Sequence, residues 1–481
     1  MLKLFSFNFH SKFLKGLSSK ALILLGRIRK ILKDQFDLIR NEKLKRNLLN
    51  ALPFWLSSLI SGAVAVFYAK LFSWAEWGSH LIFEKASWIF FILTPACFIL
   101  AWWLVVKYAP FARGSGIPQV SAAIELSNAR NNYKVSSLLS LRLIFIKILS
   151  SIIMVFGGGV VGREGPTIQI SASIFKKVND LLPAWYPKIS KQNMVVTGAA
   201  AGLAAAFNTP LGGIVFAIEE LTKIHFSFFK SALLTGVIIA GLTALALLGP
   251  YLYLGYPELG GINAWVIVPI IPLAVITGMT GSGTGRAILF ILRKKKALKA
   301  NYQKIIYTAI CGLIIAILAV FISDKILGSG KEIMVTALFT DQKGMEWYVP
   351  ILRIFGSIIS FSTGAAGGIF APALSAGASI GAVFANLFHL TETEINLIIL
   401  CGMAGFLTSI TRSPFTSSIL ILEMTNSHNV IFYIMLTSLI SNLIASSVSR
   451  HSFYDYLKLQ FIADINTVEH KSVYVDRIYK S

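Results

Sequence analysis

Apolar residues run in long, nearly unbroken stretches along this chain, at 51–73, 89–106, 263–280, 305–322 and 430–448. Each is long enough, or nearly so, to carry a helix across a hydrocarbon core of about 30 Å. The pattern predicts an all-α polytopic membrane protein. Three glycine-rich breaks interrupt it: "RGSGIPQ" (113–119), "GGGVVGREGP" (157–166) and "GAAGGIFAP" (364–372). Glycine and proline so placed argue against straight spanning helices there. Irregular backbone at membrane depth is tolerated only where it is buried in protein or lines a cavity. Pro118, Pro166 and Pro372 each suit the first turn of a helix that starts just after a break, where the missing N–H costs nothing.

A helix start presents unpaired N–H groups and the positive end of the helix dipole, which together attract an anion without any cationic side chain. Glycine lets the backbone come close to the ion. A lysine at the same place would hold an anion too tightly for rapid release. One break on its own is better explained by close helix packing. Three breaks, each followed by a proline, predict a weakly binding anion path.

The breaks also belong to a duplication. "GGVVGREGP" (158–166) aligns with "GAAGGIFAP" (364–372), setting Gly158 on Gly364, Gly162 on Gly368 and Pro166 on Pro372. The same offset pairs Lys147 with Arg353, each a lone cation in an apolar segment. "GAAAGLAAAFNTPLGGIVFAIEE" (198–220) matches "GMAGFLTSITRSPFTSSILILEM" (402–424), with Glu219 on Glu423, and "GSG" at 114–116 meets "GSG" at 328–330. The basic cluster 293–299 corresponds to a segment preceded by 75–87, read as a loop holding Glu76, Glu84 and only Lys85. Arg130, Lys134 and Arg142 fall in 128–142, whereas 324–346 is near neutral. Basic loops favour the cytoplasm, so the two halves lie in opposite orientations. Inverted repeats with a site near the midplane are typical of transporters, and a pseudo-symmetric channel stays open as an alternative.

Composition sharpens the class. Of 481 residues, 55% are hydrophobic and 14% charged, against about a quarter charged in a soluble domain. Lys and Arg number 44 against 22 Asp and Glu, a net charge of +22. These cations sit in the ends and loops, where membrane topology explains them better than a nucleic-acid partner. No cleavable signal is visible before residue 48, and "KALILLGRIRKILKDQFDLI" (20–39) has the spacing of a cytoplasmic interfacial helix. Cys97, Cys311 and Cys401 lie in or beside apolar runs and give no disulfide framework. The histidines show no metal-ligand spacing, so no metal and no cofactor is expected. No serine comes with a lysine or histidine partner, and no HExxH is present, so an intramembrane protease or other enzyme is disfavoured.

The motifs "GSGIPQ", "GREGPTIQI" and "GGIFAP" resemble the three signature motifs of the CLC family of chloride channels and chloride/proton exchangers. They occur in family order, and the similarity continues through "AAGLAAAFNTPLGGIVFAIEE" and "TRSPFTSSILILEMT", covering roughly residues 50–460. The resemblance implies a homodimer with one pore per subunit, each subunit holding about eighteen helices, many tilted or ending within the membrane. The expected domains are a basic cytoplasmic extension (1–47), a transmembrane domain (48–460, with repeats at about 50–225 and 262–450) and a short cytoplasmic tail (461–481). A tail this short lacks the paired cytoplasmic nucleotide-binding modules of many eukaryotic members. The expectation is a bacterial inner-membrane protein with both termini cytoplasmic.

Residue by residue, the resemblance places Ser115, with Gly116 and Ile117, at the central anion; serine there points to chloride rather than nitrate or fluoride. Ile369 and Phe370 match positions whose backbone N–H groups face that anion, and Tyr454 matches the late tyrosine whose hydroxyl completes the site. Arg163, Glu164 and Gly165 form the second helix start. An ionisable group in the membrane is costly and marks function, and Glu164 stands at the position of the family's gating glutamate, whose carboxylate takes the anion's place. Adjacent helix residues do not face each other, which disfavours a structural pair between Arg163 and Glu164. Glu220 matches the inner proton-transfer glutamate of the exchangers, whereas Glu219 is expected to be structural. Lys147 is expected to tune the electrostatics of the path. The reading is a secondary transporter exchanging chloride for protons, with a passive chloride channel as the alternative.

Overall fold

The apolar runs all become helices in the computed structural model, which describes residues 30, 34, 37, 41–128, 131–222, 230–249, 252–340, 343–388 and 390–478. Most of the stretch 20–39, and Arg130, lie outside these residues. The first half comprises α1 (Glu42–Ala86), α2 (Phe90–Tyr108), α3 (Ile117–Leu126), α4 (Val135–Leu138), α5 (Leu141–Phe156), α6 (Glu164–Asp180), α7 (Lys191–Phe207), α8 (Pro210–Phe216) and α9 (Lys230–Leu248). The second comprises α10 (Ile267–Lys295), α11 (Asn301–Phe321), α12 (Lys331–Phe339), α13 (Val349–Ser362), α14 (Phe370–Ala385), α15 (Glu392–Thr411), α16 (Pro414–Thr425), α17 (Ile431–Val448) and α18 (Phe453–Ile478). Among the described residues no strand forms; two isolated bridges join Gly114 to Ala366 and Gly162 to Gly368.

The duplication is visible in the packing. In the first half α9 packs on α1 and α7, and α6 on α7; in the second α17 packs on α10 and α15, and α14 on α15. Small residues permit these close approaches. A methyl group on Gly377 of α14 would stand 2.4 Å from the carbonyl oxygen of Gly402 in α15. Helix ends repeat as well: α7 and α15 stop at residues in the left-handed region, Asn208 (φ 58°) and Arg412 (φ 66°), each followed by a proline-started helix. The left-handed conformation is unfavourable for arginine. Its guanidinium donates to the carbonyls of Asn442 (3.2 Å), Ala445 and Ser449 (2.8 Å) at the end of α17, where a cation complements the helix dipole.

Three sequence boundaries move. The stretch 75–87 is not a loop: α1 continues to Ala86, and its end corresponds to the basic end of α10 at Lys295. The charge contrast between the two ends survives that change. The first repeat extends beyond 225, because α9 is the counterpart of α17. The packed domain also passes 460, since Phe461 and Ile465 of α18 are buried in the main apolar core.

The two halves cap each other reciprocally. Glu219 accepts from the backbone N–H of Phe415 (3.2 Å) and Thr416 (2.7 Å) and from the Thr416 hydroxyl (2.7 Å), closing the start of α16. Glu423 accepts from the N–H of Leu211 (3.0 Å) and Gly212 (2.6 Å), closing the start of α8. Each repeat therefore satisfies the otherwise unpaired donors of the other. Glu219→Ala is expected to lower the stability of the detergent-solubilised protein by about 1.5–3 kcal/mol, the range for hydrogen bonds to a charged group. Thermal unfolding measures it, and an unchanged transition would remove the structural role of Glu219.

Candidate anion path

The three glycine breaks meet at the contact between the halves. Gly114 N donates to Ala365 O (2.8 Å) and Gly367 N to Gly114 O (3.2 Å), while Gly162 and Gly368 exchange two bonds of 2.9 and 2.7 Å. These bridges hold the starts of α3, α6 and α14 beside one another. Gly116 caps α3 at φ +115°, a conformation that L side chains rarely adopt, and a Cβ there would stand 2.7 Å from Gly165 O. Ser115 Oγ in turn lies only 2.2 Å from where a Cβ on Gly165 would stand.

Around this contact the side chains expected from the sequence assemble. Ser115 and Tyr454 are each 1% exposed. Their hydroxyls lie within interaction range of each other, yet neither makes a hydrogen bond. Two buried, unpartnered hydroxyls are costly in a folded protein unless they serve a ligand. Phe370 stacks on Tyr454 with ring centroids 6.4 Å apart and planes 14° apart. Ile117, Ile369 and Phe370 bury their side chains in the main core, which leaves the helix-start backbone as their polar contribution.

Glu164, also 1% exposed, is the first residue of α6. Its Oε1 accepts a hydrogen bond from the Tyr253 hydroxyl (3.2 Å), and its Oε2 has no protein partner. That oxygen sits over Gly162: a Cβ there would be 2.3 Å from Oε2 and 3.3 Å from the backbone nitrogen of Ala371 in α14. The carboxylate thus lies at two helix starts, in room that only glycine leaves. Arg163 precedes it, half-buried, and its charge reaches Glu164, Tyr253 and Lys331.

Glu220 lies on a π-helical turn, Ala217–Thr222, directly after α8. It is buried, and its Oε2 accepts from the Ser413 hydroxyl at 2.8 Å. The charges of both Glu220 and Glu164 reach Tyr454.

Lys147 is fully buried in α5 and donates to the carbonyls of Ala112 (2.9 Å) and Gly114 (2.7 Å). These partners are carbonyl dipoles rather than a carboxylate, and Gly114 is the residue before Ser115. Its repeat mate Arg353 does the same for the second "GSG", donating to Ile326 O (3.1 Å), Leu327 O (3.1 Å) and Gly328 O (3.2 Å). The two breaks differ in one respect. At the second, the Ser329 N–H donates to the Glu76 carboxylate (2.6 Å), so a protein carboxylate already occupies the start of α12.

A cavity of about 410 Å³ reaches Ser115, lined by Arg113, Lys295, Lys296, Lys304 and apolar residues including Phe361. Lys295 donates to the carbonyls of Ser362 (3.0 Å) and Thr363. Asp464 of α18 pairs with Arg113 and, at 3.8 Å, with Lys296. Four residues of the site escaped the sequence reading. Lys295 and Lys296 lie in the cluster taken as topological charge, Lys304 stands beyond it, and Tyr253 sits in the segment between the repeats, to which no element was assigned. The cluster 293–299 carried a signal, and its proximity to the path did not; nothing in sequence marked Tyr253.

The family model described as voltage gated chloride channel matches residues 96–446. The H(+)/Cl(-) exchange transporter ClcA of Salmonella arizonae is 28% identical over 422 residues, covering 84% of this chain and 87% of the relative. A solved slow cyanobacterial Cl−/H+ antiporter superposes with a TM-score of 0.75 at 24% identity, over 87% of this chain and 99% of its own. A CLC-type fluoride/proton antiporter follows with 0.71 and 22%, over 86% and 98%. At these identities the two structures establish the fold alone.

Proposed function

Because the chain belongs to the voltage-gated chloride channel family, we propose that it is a secondary transporter exchanging chloride for protons, with Glu164 as the outer gate and Glu220 as the inner proton-transfer residue. The observation that carries this reading is the placement of Glu164, a buried carboxylate lodged at two helix starts. An anion at this point is stabilised by the dipoles and N–H groups of α6 and α14. Ionised, Glu164 takes chloride's place. Protonated, it loses that attraction and yields the site to chloride. One group thus responds to both substrates, which is the requirement for coupling them.

Chloride in this reading sits between Ser115 and Tyr454, with the backbone of Gly116, Ile117, Arg163, Gly165, Ile369 and Phe370 as further donors. Lys147 adds positive potential from behind the first break, and the cations lining the cavity gather chloride on its approach. Protons leave Glu164 by a separate branch that ends at Glu220, and the exchange needs no cofactor. The name carried by the Salmonella relative supports exchange over passive conduction. The reading extends to a homodimer with one pore per subunit in a bacterial inner membrane, both termini cytoplasmic, as the charge distribution along the chain favours. Reconstituted into liposomes under an outward chloride gradient, the protein is expected to drive protons uphill into the vesicles. Chloride flux without proton movement would make it a channel instead.

A further inference from the structure

Tyr253 reaches the gate from a segment that neither repeat's motifs include. It is buried, and its hydroxyl donates to Glu164 Oε1 at 3.2 Å. The ring is fixed on two sides, by an edge contact with Phe207 (centroids 4.9 Å, planes 81°) and by the Lys331 ammonium 4.7 Å from its centroid. The segment itself is anchored to the second repeat: Leu254 N donates to Met424 O (3.2 Å), Asn396 Nδ2 to Glu258 O (3.0 Å) and Asn429 Nδ2 to Leu259 O (2.8 Å). A donor held this firmly loses little entropy on bonding and favours one position of its acceptor. A cation on the ring face also draws electron density from the phenol, strengthening it as a donor. Phe207 continues to Phe370 (6.4 Å), whose ring stacks on Tyr454, so one aromatic row links the two ends of the path.

We propose that Tyr253 is a positioning residue that latches the ionised Glu164 carboxylate at the helix starts, so that chloride must displace a hydrogen bond as well as a charge. This rests on the reading that Glu164 competes with chloride. The charged groups facing Glu164 are Arg163, Glu76 and Lys331, and Tyr253 supplies its hydrogen bond from another side chain.

The test is chloride titration by calorimetry in detergent, on the full chain. Tyr253→Phe keeps the ring and its packing while removing the donor. It is expected to tighten chloride binding roughly tenfold, the scale of a hydrogen bond to a charged acceptor. On a Glu164→Ala background the same substitution is expected to change nothing. Wild-type affinity for Tyr253→Phe overturns the proposal, as does an equal shift in both backgrounds. Weaker binding on the Glu164→Ala background also overturns it, because Tyr253 would then be a chloride ligand. Should Glu164→Ala alone leave chloride affinity unchanged, the competition reading itself fails, a result distinct from the others.

Discussion

Glu164→Ala abolishes proton transport by the reconstituted protein while chloride continues to cross. The expectation follows from the position of the side chain, buried at the start of α6 and near Ala371 of α14, with the Tyr253 hydroxyl donating to its Oε1. The helix-start dipoles favour a carboxylate there as they would a chloride ion, and in the proposed reading truncation removes the competitor without removing those dipoles. Ser115 Oγ and Tyr454 Oη are untouched, so the proposed central contact for chloride persists. The proposed acceptor for the proton at the helix starts is gone. Parallel recording of chloride efflux and external pH checks this: proton uptake falls to the level of empty vesicles. Proton transport that survives the substitution would remove Glu164 from the coupling mechanism. Glu164→Gln should behave alike, because an amide of nearly the same shape carries neither the charge nor the exchangeable proton.

Glu220→Gln also stops uphill proton movement, by a different cause. Glu220 is buried with its Oε2 held by the Ser413 hydroxyl at 2.8 Å, a bond that glutamine's amide oxygen can keep, so the local fold is retained. The amide has no proton to give or take near neutral pH. In the proposed route chloride reaches Ser115 by the cavity lined with Arg113 and the lysines, and Glu220 is not among its lining residues. Chloride flux should therefore stay within about threefold of the wild type, as expected when no contact to the moving ion is lost. The same paired recording decides the matter, with intact coupling removing Glu220 from the proton branch. The two substitutions together separate the proposed gate from the proposed inner station: both are expected to lose proton transport, and only the first removes the carboxylate proposed to compete with chloride.

Much of this arrangement was legible before any coordinates, because glycine and proline punctuate the apolar runs at the places where the backbone must turn. Gly116 at φ +115° and the prolines behind each break are local necessities, and local necessities leave local traces. The duplication made Glu219 and Glu423 equivalent, and the structure gives them equivalent tasks. What stayed hidden depends on distance in space. Lys295 and Lys296 have the composition of membrane-flanking charge, and only the fold brings them to the cavity beside Ser115. Tyr253 is one aromatic among fifteen tyrosines, and its reach to Glu164 exists only because the segment carrying it is anchored to α15 and α16. Helix α9 was missed as part of the first repeat since its segment retains little sequence likeness to α17. Its role lies in packing on α1 and α7, which many apolar surfaces satisfy.

The exchange of caps between Glu219 and Glu423 bears on how the chain is made. Translation delivers α8 more than two hundred residues ahead of the carboxylate that closes its start. Until Glu423 is in place, Leu211 and Gly212 lack their partner, and Glu219 waits in turn for the N–H groups of Phe415 and Thr416. Neither half can close the start of this helix by itself. A gene cut between α9 and α10 would leave each half without the carboxylate that closes one of its helix starts, and the two would have to meet before either start is closed.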